Sequence, residues 1–138
     1  TALIFGKVGL ISLDYSSKNY NGLYLSGDDF SQENLFFDNQ LKRANSIHLG
    51  TEWRINQLSL RGGFQYQESP YTNSVLSDNQ ETYSFGLGYN FGSIKLNLAY
   101  RKNNNNEQYN FYPQYNLVEP AQLDIDNTVI TIGLSVHI

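Results

Sequence analysis

Asn127 to Ile138 reads Asn-Thr-Val-Ile-Thr-Ile-Gly-Leu-Ser-Val-His-Ile. Ile130, Ile132, Leu134, Val136 and Ile138 recur at every second position, and Thr131, Gly133, Ser135 and His137 fill the gaps. A period of two puts successive side chains on opposite faces of an extended chain, so this stretch predicts a β-strand with one apolar face. Upstream the same alternation recurs. Tyr83, Phe85, Leu87, Tyr89 and Phe91 alternate with Ser84, Gly86, Gly88 and Asn90, and after Gly92-Ser93 the residues Ile94, Leu96, Leu98 and Tyr100 answer Lys95, Asn97, Ala99 and Arg101. Ser46 to Ile55 and Leu58 to Gln67 form a further pair around Asn56-Gln57, and Val8 to Tyr15 follows Ala2 to Phe5 across Gly6-Lys7.

The connections are unequal. Gly6-Lys7, Asn56-Gln57 and Gly92-Ser93 are tight turns, and all fall at one end of the predicted sheet. At the other end lie long polar stretches: Ser16 to Asn45, with a short helix expected near Phe36 and Phe37, Glu68 to Glu81, and Lys102 to about Asp126. Short turns at one rim and long loops at the other are a property of outer-membrane β-barrels. The directions so assigned put Phe5, Trp53, Tyr89 and Phe91 near the short-turn rim and Tyr15, Tyr66, Tyr83 and Tyr100 near the other. Two aromatic girdles result. The expected fold is therefore all-β, an antiparallel up-and-down transmembrane β-barrel segment of six to seven strands. Single-chain barrels begin at about eight strands, so this is read as one part of a larger barrel whose N-terminal part lies elsewhere.

Composition narrows the alternatives. The chain has 138 residues, one domain's worth, with 13 acidic and nine basic residues, a net charge of −4 and no cysteine. No Lys/Arg cluster marks a nucleic-acid footprint, and disulfide or zinc-ribbon scaffolds are excluded. No apolar run approaches the roughly 20 residues of a helical span. No leader-like basic-then-apolar start is visible, so export requires a leader removed or lying upstream. A mean hydropathy of −0.46 suits a barrel as well as a soluble protein, because only alternate strand residues meet lipid. A soluble lipocalin-like barrel would carry many charges on its polar face. Here that face is instead rich in Gly50, Gly63, Gly86, Gly88, Ala99, Gly133, Ser59, Ser84 and Ser135, which suits a confined lumen.

Phe5-Gly6-Lys7-Val8-Gly9-Leu10-Ile11-Ser12-Leu13-Asp14-Tyr15, Leu49-Gly50-Thr51-Glu52-Trp53-Arg54 with Leu60-Arg61-Gly62-Gly63-Phe64, and Gly86-Leu87-Gly88-Tyr89-Asn90-Phe91-Gly92 resemble the C-terminal half of FadL/TodX-type outer-membrane transport proteins. The resemblance implies a fourteen-stranded barrel that passes long-chain fatty acids or other hydrophobic small molecules by diffusion, without catalysis or cofactor. It also implies outer-membrane lipid as surroundings. Some relatives of that kind serve secretion, which makes another outer-membrane or secretion protein the alternative partner. Thr131, Gly133, Val136 and Ile138 resemble the C-terminal signal read by the barrel insertion machinery, with Ile138 in place of the usual final aromatic.

Among candidate site residues, Asp14, His48, Glu52, Arg61, Lys95 and Arg101 share the polar face and are expected to line the lumen as a charge network. Tyr109, Phe111, Tyr112 and Tyr115, with Pro113, form an aromatic cluster in the last long loop, read either as an outer contact for a hydrophobic ligand or as a self-packed loop. His48 and Glu52 stand about 13 Å apart along one strand, too far to act as a pair. Asp124 and Asp126 are expected as an acidic cap before the last strand rather than a calcium site. Gly86-Leu87-Gly88 lacks the third glycine of a dinucleotide fingerprint, and no metal or cofactor is expected.

Overall fold

The computed structural model describes residues 1–74, 78–109 and 121–137. Seven strands form one sheet in sequence order, each antiparallel to its neighbour. They are β1 (Ala2–Phe5), β2 (Gly9–Asn19), β3 (Arg43–Ile55), β4 (Leu58–Gln67), β5 (Gln80–Asn90), β6 (Ile94–Tyr109) and β7 (Ala121–Val136). The expected all-β, up-and-down order is the one observed. Each tight turn contains a residue in the left-handed region that reverses a strand in a few residues: Gly6 (φ 59°), Asn56 (φ 53°) and Gly92 (φ 96°). Turns are also tied to the next strand, with Arg54 N–H donating to Val8 O at 2.7 Å and Asn90 N–H to Gln57 O at 2.9 Å.

The long connections differ in part from expectation. The helix anticipated near Phe36 and Phe37 is α1 (Ser31–Gln40), but the flanking strands reach farther into the loop, β2 to Asn19 and β3 back to Arg43. The stretch from Lys102 to Asp126 is corrected more strongly. β6 continues to Tyr109 and β7 starts at Ala121, in one unbroken register from Ile94↔Val136 to Tyr109↔Ala121. Asp124 and Asp126 therefore lie within β7 and do not cap it. Backbone pairing sustains this hairpin where the side-chain pattern of Asn103 to Asn106 carries no alternation.

Register sorts the side chains. Ile11, Leu13 and Tyr15 face Thr51, Leu49 and Ile47, which continue through Gly62, Phe64 and Tyr66 to Phe85, Tyr83 and Glu81. Among the described residues nothing covers this apolar face: Leu3, Phe85, Ile130, Ile132 and Leu134 are each more than 60% exposed. Among the described residues Ala44 is the one buried hydrophobic side chain and Ser69 the one buried polar residue. The sheet has no core of its own.

Two lines of aromatics border the apolar face. On the long-loop side, Tyr15 and Tyr66 share one cross-strand row through Ile47. Tyr83 stands two residues below the continuation of that row at Glu81, and Tyr100 four residues below it at Asn104. On the tight-turn side, Phe5 and Trp53 share the row of Gly9, and Tyr89 lies two residues below that row's continuation at Leu87. Both lines drop together between β4 and β5. The hydroxyls of Tyr15 and Tyr83 donate to Asn45 and Glu81, each at 2.9 Å, and that of Tyr66 accepts from Asn79 at 2.7 Å. All three partners lie toward the long loops.

The Phe5 and Trp53 rings stack at 5.6 Å across Gly9, where an added Cβ would fall 2.6 Å from Trp53 Cε3 and 2.8 Å from the Glu52 carbonyl oxygen. Gly9→Val should therefore displace the indole and the backbone together, at a cost of about 1–3 kcal/mol. Trp53 is the chain's single tryptophan, so the variant should shift its emission and lower the unfolding midpoint. Unaltered fluorescence would mean that Gly9 is not needed for the stack.

Candidate functional site

The polar face is assembled by the same register. Glu52 on β3 lies opposite Arg61 on β4, and Arg61 Nε donates to Glu52 Oε2 at 3.1 Å. Arg54, two residues along on the same face of β3, donates through Nε to Glu52 Oε1 at 2.7 Å. Arg61 also reaches across β5, where Nη1 donates to Asn97 Oδ1 on β6 at 3.2 Å. Gly86 and Gly88 make that crossing possible. A Cβ on Gly86 would meet Arg61 Cβ at 3.2 Å, and one on Gly88 would meet Asn97 Oδ1 at 2.8 Å. The small residues of the polar face thus leave a trough that a long side chain occupies.

Of the six expected lumen residues, the structure joins Glu52 and Arg61 directly. Asp14 and His48 are cross-strand neighbours. His48 and Arg101 border one shallow depression of about 310 Å³, together with Gly63, Gln65, Thr82 and Ser84. Lys95 and Arg101 stand on β6 with no hydrogen-bond or ion-pair partner among the described residues. Arg54 and Asn97 complete the network and were not among the expected lumen set. Arg54 could have been found from its place two residues after Glu52, and Asn97 only from the register across β5.

Above the outer aromatic line the hairpin of β6 and β7 reverses its faces. Positions continuing the apolar face are now Lys102, Asn104, Asp124, Asp126 and Thr128, and Lys102 Nζ pairs with Asp126 Oδ2 at 3.2 Å. Positions continuing the polar face include Val129, Ile125 and Leu123, which are 37%, 42% and 41% exposed. Val129 lies directly opposite Arg101. An apolar strip therefore begins level with Arg101 and continues above it on the polar face.

The long loops are pinned to each other. Lys42 N–H donates to Pro70 O at 2.8 Å, Thr72 N–H to Gln40 O at 2.9 Å, and Lys42 Nζ to Ser74 Oγ at 3.0 Å. Glu68 Oε2 accepts from the backbone and side-chain nitrogens of Asn45. Tyr109 is the last residue of β6, while Phe111, Tyr112, Pro113 and Tyr115 lie outside the described residues. Of the residues expected as a C-terminal assembly signal, Thr131 and Gly133 fall on the polar face and Val136 on the apolar one; Ile138 lies outside the described residues. No group of three or more metal-ligating side chains occurs among the described residues.

The Glu52–Arg61 pair is partly solvent-exposed, with side chains 20% and 43% accessible. A double-mutant cycle with Glu52→Gln and Arg61→Gln should return a coupling of about 0.2–1 kcal/mol, reduced further in salt. Gly88→Val should remove the Arg61–Asn97 contact and leave the Glu52–Arg61 coupling in place. A coupling lost in that variant would mean that the trough holds the whole network. No family model, curated protein or solved structure matches the chain.

Proposed function

We propose that this chain is one wall of a transmembrane β-barrel of the bacterial outer membrane, the C-terminal part of a FadL/TodX-like barrel of about fourteen strands, which lets hydrophobic small molecules such as long-chain fatty acids diffuse through. The carrying observation is an apolar sheet face, uncovered and bordered by two aromatic lines. Lipid is the surrounding that removes such a face from water without a second protein layer. The lines slip toward the tight turns as the strands succeed one another. Four residues over the four steps from β2 to β6 correspond to a tilt of about 35° from strand rise and spacing, within the range for membrane barrels. Tyrosine hydroxyls directed toward the polar loops suit side chains at a lipid boundary.

The reversed hairpin supports passage of an apolar solute. Outside the bilayer its outward face is polar, as water requires, while Leu123, Ile125 and Val129 turn toward the lumen side and offer a hydrophobic landing strip at the mouth. Seven strands are fewer than a closed single-chain barrel needs, and in lipid the outer edges of β1 and β7 require partners for their backbone groups. Further strands supply them. Insertion would follow recognition of Thr131, Gly133, Val136 and Ile138 by the barrel insertion machinery.

A second reading is a structural or interaction barrel that docks another outer-membrane or secretion protein. It draws on the pinned loop platform, where Leu23, Tyr24, Leu35 and Phe36 are 49%, 74%, 60% and 47% exposed. Uptake of a labelled long-chain fatty acid by cells with and without the native protein separates the two readings. Transport predicts lost uptake in its absence, and docking predicts unchanged uptake.

Lipid can be told from a protein core by depth. Leu134→Arg, near the middle of the apolar band, should cost about 2–4 kcal/mol, and Val136→Arg at its edge about 0–1 kcal/mol. Thr131→Arg, on the polar face, should be tolerated. The measurement is the unfolding free energy of the native protein in lipid vesicles, after outer-membrane fractionation and a gel run with and without boiling. Equal penalties at 134 and 136, or extraction without detergent, would turn the apolar face into a soluble interface.

A further inference from the structure

Charge is divided unevenly between this wall and the rest of the chain. Up to one residue past the outer aromatic line, the polar face of the strands carries Arg54, Arg61, Lys95 and Arg101 against Asp14 and Glu52. That is an excess of two positive charges in a chain whose net charge is −4, so all other residues together carry −6. Ion pairing sharpens the difference. Glu52 accepts from two arginines, Arg54 and Arg61, so its charge is more than compensated. Lys95 and Arg101 have no hydrogen-bond or ion-pair partner among the described residues.

These cations are aligned. Lys95 and Arg101 lie six residues apart on the polar face of β6, about 20 Å at the usual rise. Between them the Arg61 guanidinium arrives at Asn97, through the space left by Gly86 and Gly88. Asp14 is held four strands away on β2, about 19 Å at the usual spacing. Positive charge thus recurs along one strand, from Arg101 beside Val129 down to the tight-turn rim.

We infer that this line of Arg101, Arg61 and Lys95 makes the lumen wall selective for anions. The inference rests on the barrel reading above and adds a sign to what the wall admits. A fixed positive charge about 8 Å from a passing ion in water raises the local anion over the neutral level about twofold at low ionic strength. The local cation is lowered by the same factor, so an ion passing either Lys95 or Arg101, which it meets one after the other, sees an anion-to-cation ratio of about four. Gly63, Ser84 and Gly86 beside Arg101 are small and leave its charge open to the space above the sheet, as cationic side chains are in anion pores.

The test is the zero-current potential of the native full-length protein in a planar bilayer under a KCl gradient centred near about 0.01 M. The chloride-to-potassium permeability ratio should be about four and should fall to about one in the double variant Lys95→Gln/Arg101→Gln. Neither residue has a hydrogen-bond or ion-pair partner among the described residues, so folding should be unaffected. Raising the mean salt to about 1 M should collapse the wild-type ratio toward one. A ratio at or below one, a ratio unmoved by the double variant, or a protein that conducts no ions overturns the inference. If the heat-modifiable band in the outer-membrane fraction persists, only the selectivity has failed; if it is missing, the barrel reading has failed with it.

Discussion

Everything in this sheet depends on register. Because side chains alternate with a period of two, a slip of one residue between any pair of strands would move that strand's whole apolar set to the opposite face. Six ladders hold the seven strands without an interior bulge, and their continuity keeps the outward band intact from Leu3 to Leu134. The turn residues anchor this alignment, since Gly6, Asn56 and Gly92 each permit a left-handed backbone at the point of reversal. In a globular domain a packed interior would correct small errors of pairing. Here one layer of chain must carry the pattern alone.

The same constraint builds the polar face. Glu52 meets Arg61 because the β3–β4 register places them opposite each other, and Arg61 meets Asn97 because Gly86 and Gly88 occupy the intervening strand. Exposed ion pairs contribute little to stability, so this network is a consequence of the register and not its cause. Its significance is positional. A guanidinium that would be costly facing lipid lies on the side where charge is tolerated, and it spans the trough that the small residues leave.

Much of this was legible in the sequence, and the reason is the amplitude of the alternation. β4 is observed at the expected limits, Leu58–Gln67, because an apolar/polar contrast runs through it and Asn56-Gln57 marks its start. Ser16 to Asn19, Arg43 to Asn45 and Lys102 to Tyr109 are strand as well, yet no apolar residue recurs at every second position there, and periodicity has nothing to register. Only pairing with a neighbour identifies them. The polar-face residues on β2 to β6 were assigned to their side by alternation alone, whereas the contact between β4 and β6 needed three-dimensional knowledge of which glycines lie between. The aromatic cluster from Phe111 to Tyr115 lies outside the described residues and remains an expectation of sequence.

The reversal within β7 argues for a strand that leaves one environment and enters another. From Ile130 to Val136 the even-numbered positions are apolar, and from Leu123 to Val129 apolar residues fall on odd numbers instead. A bulge would produce such a phase change by rotating the chain, but the pairing with β6 has no bulge. The side chains therefore change character while the faces keep their direction. A strand in a soluble sandwich has one buried face along its whole length, which leaves no reason for the exchange. A strand crossing a slab of lipid into water does have one: its outer face must be apolar inside the slab and polar beyond it, and the inner face is then free to become apolar at the mouth. The exchange occurs between Val129 and Ile130, level with Tyr100 on the neighbouring strand, so the change of side-chain character and the aromatic line fall at one height, as the proposed barrel requires.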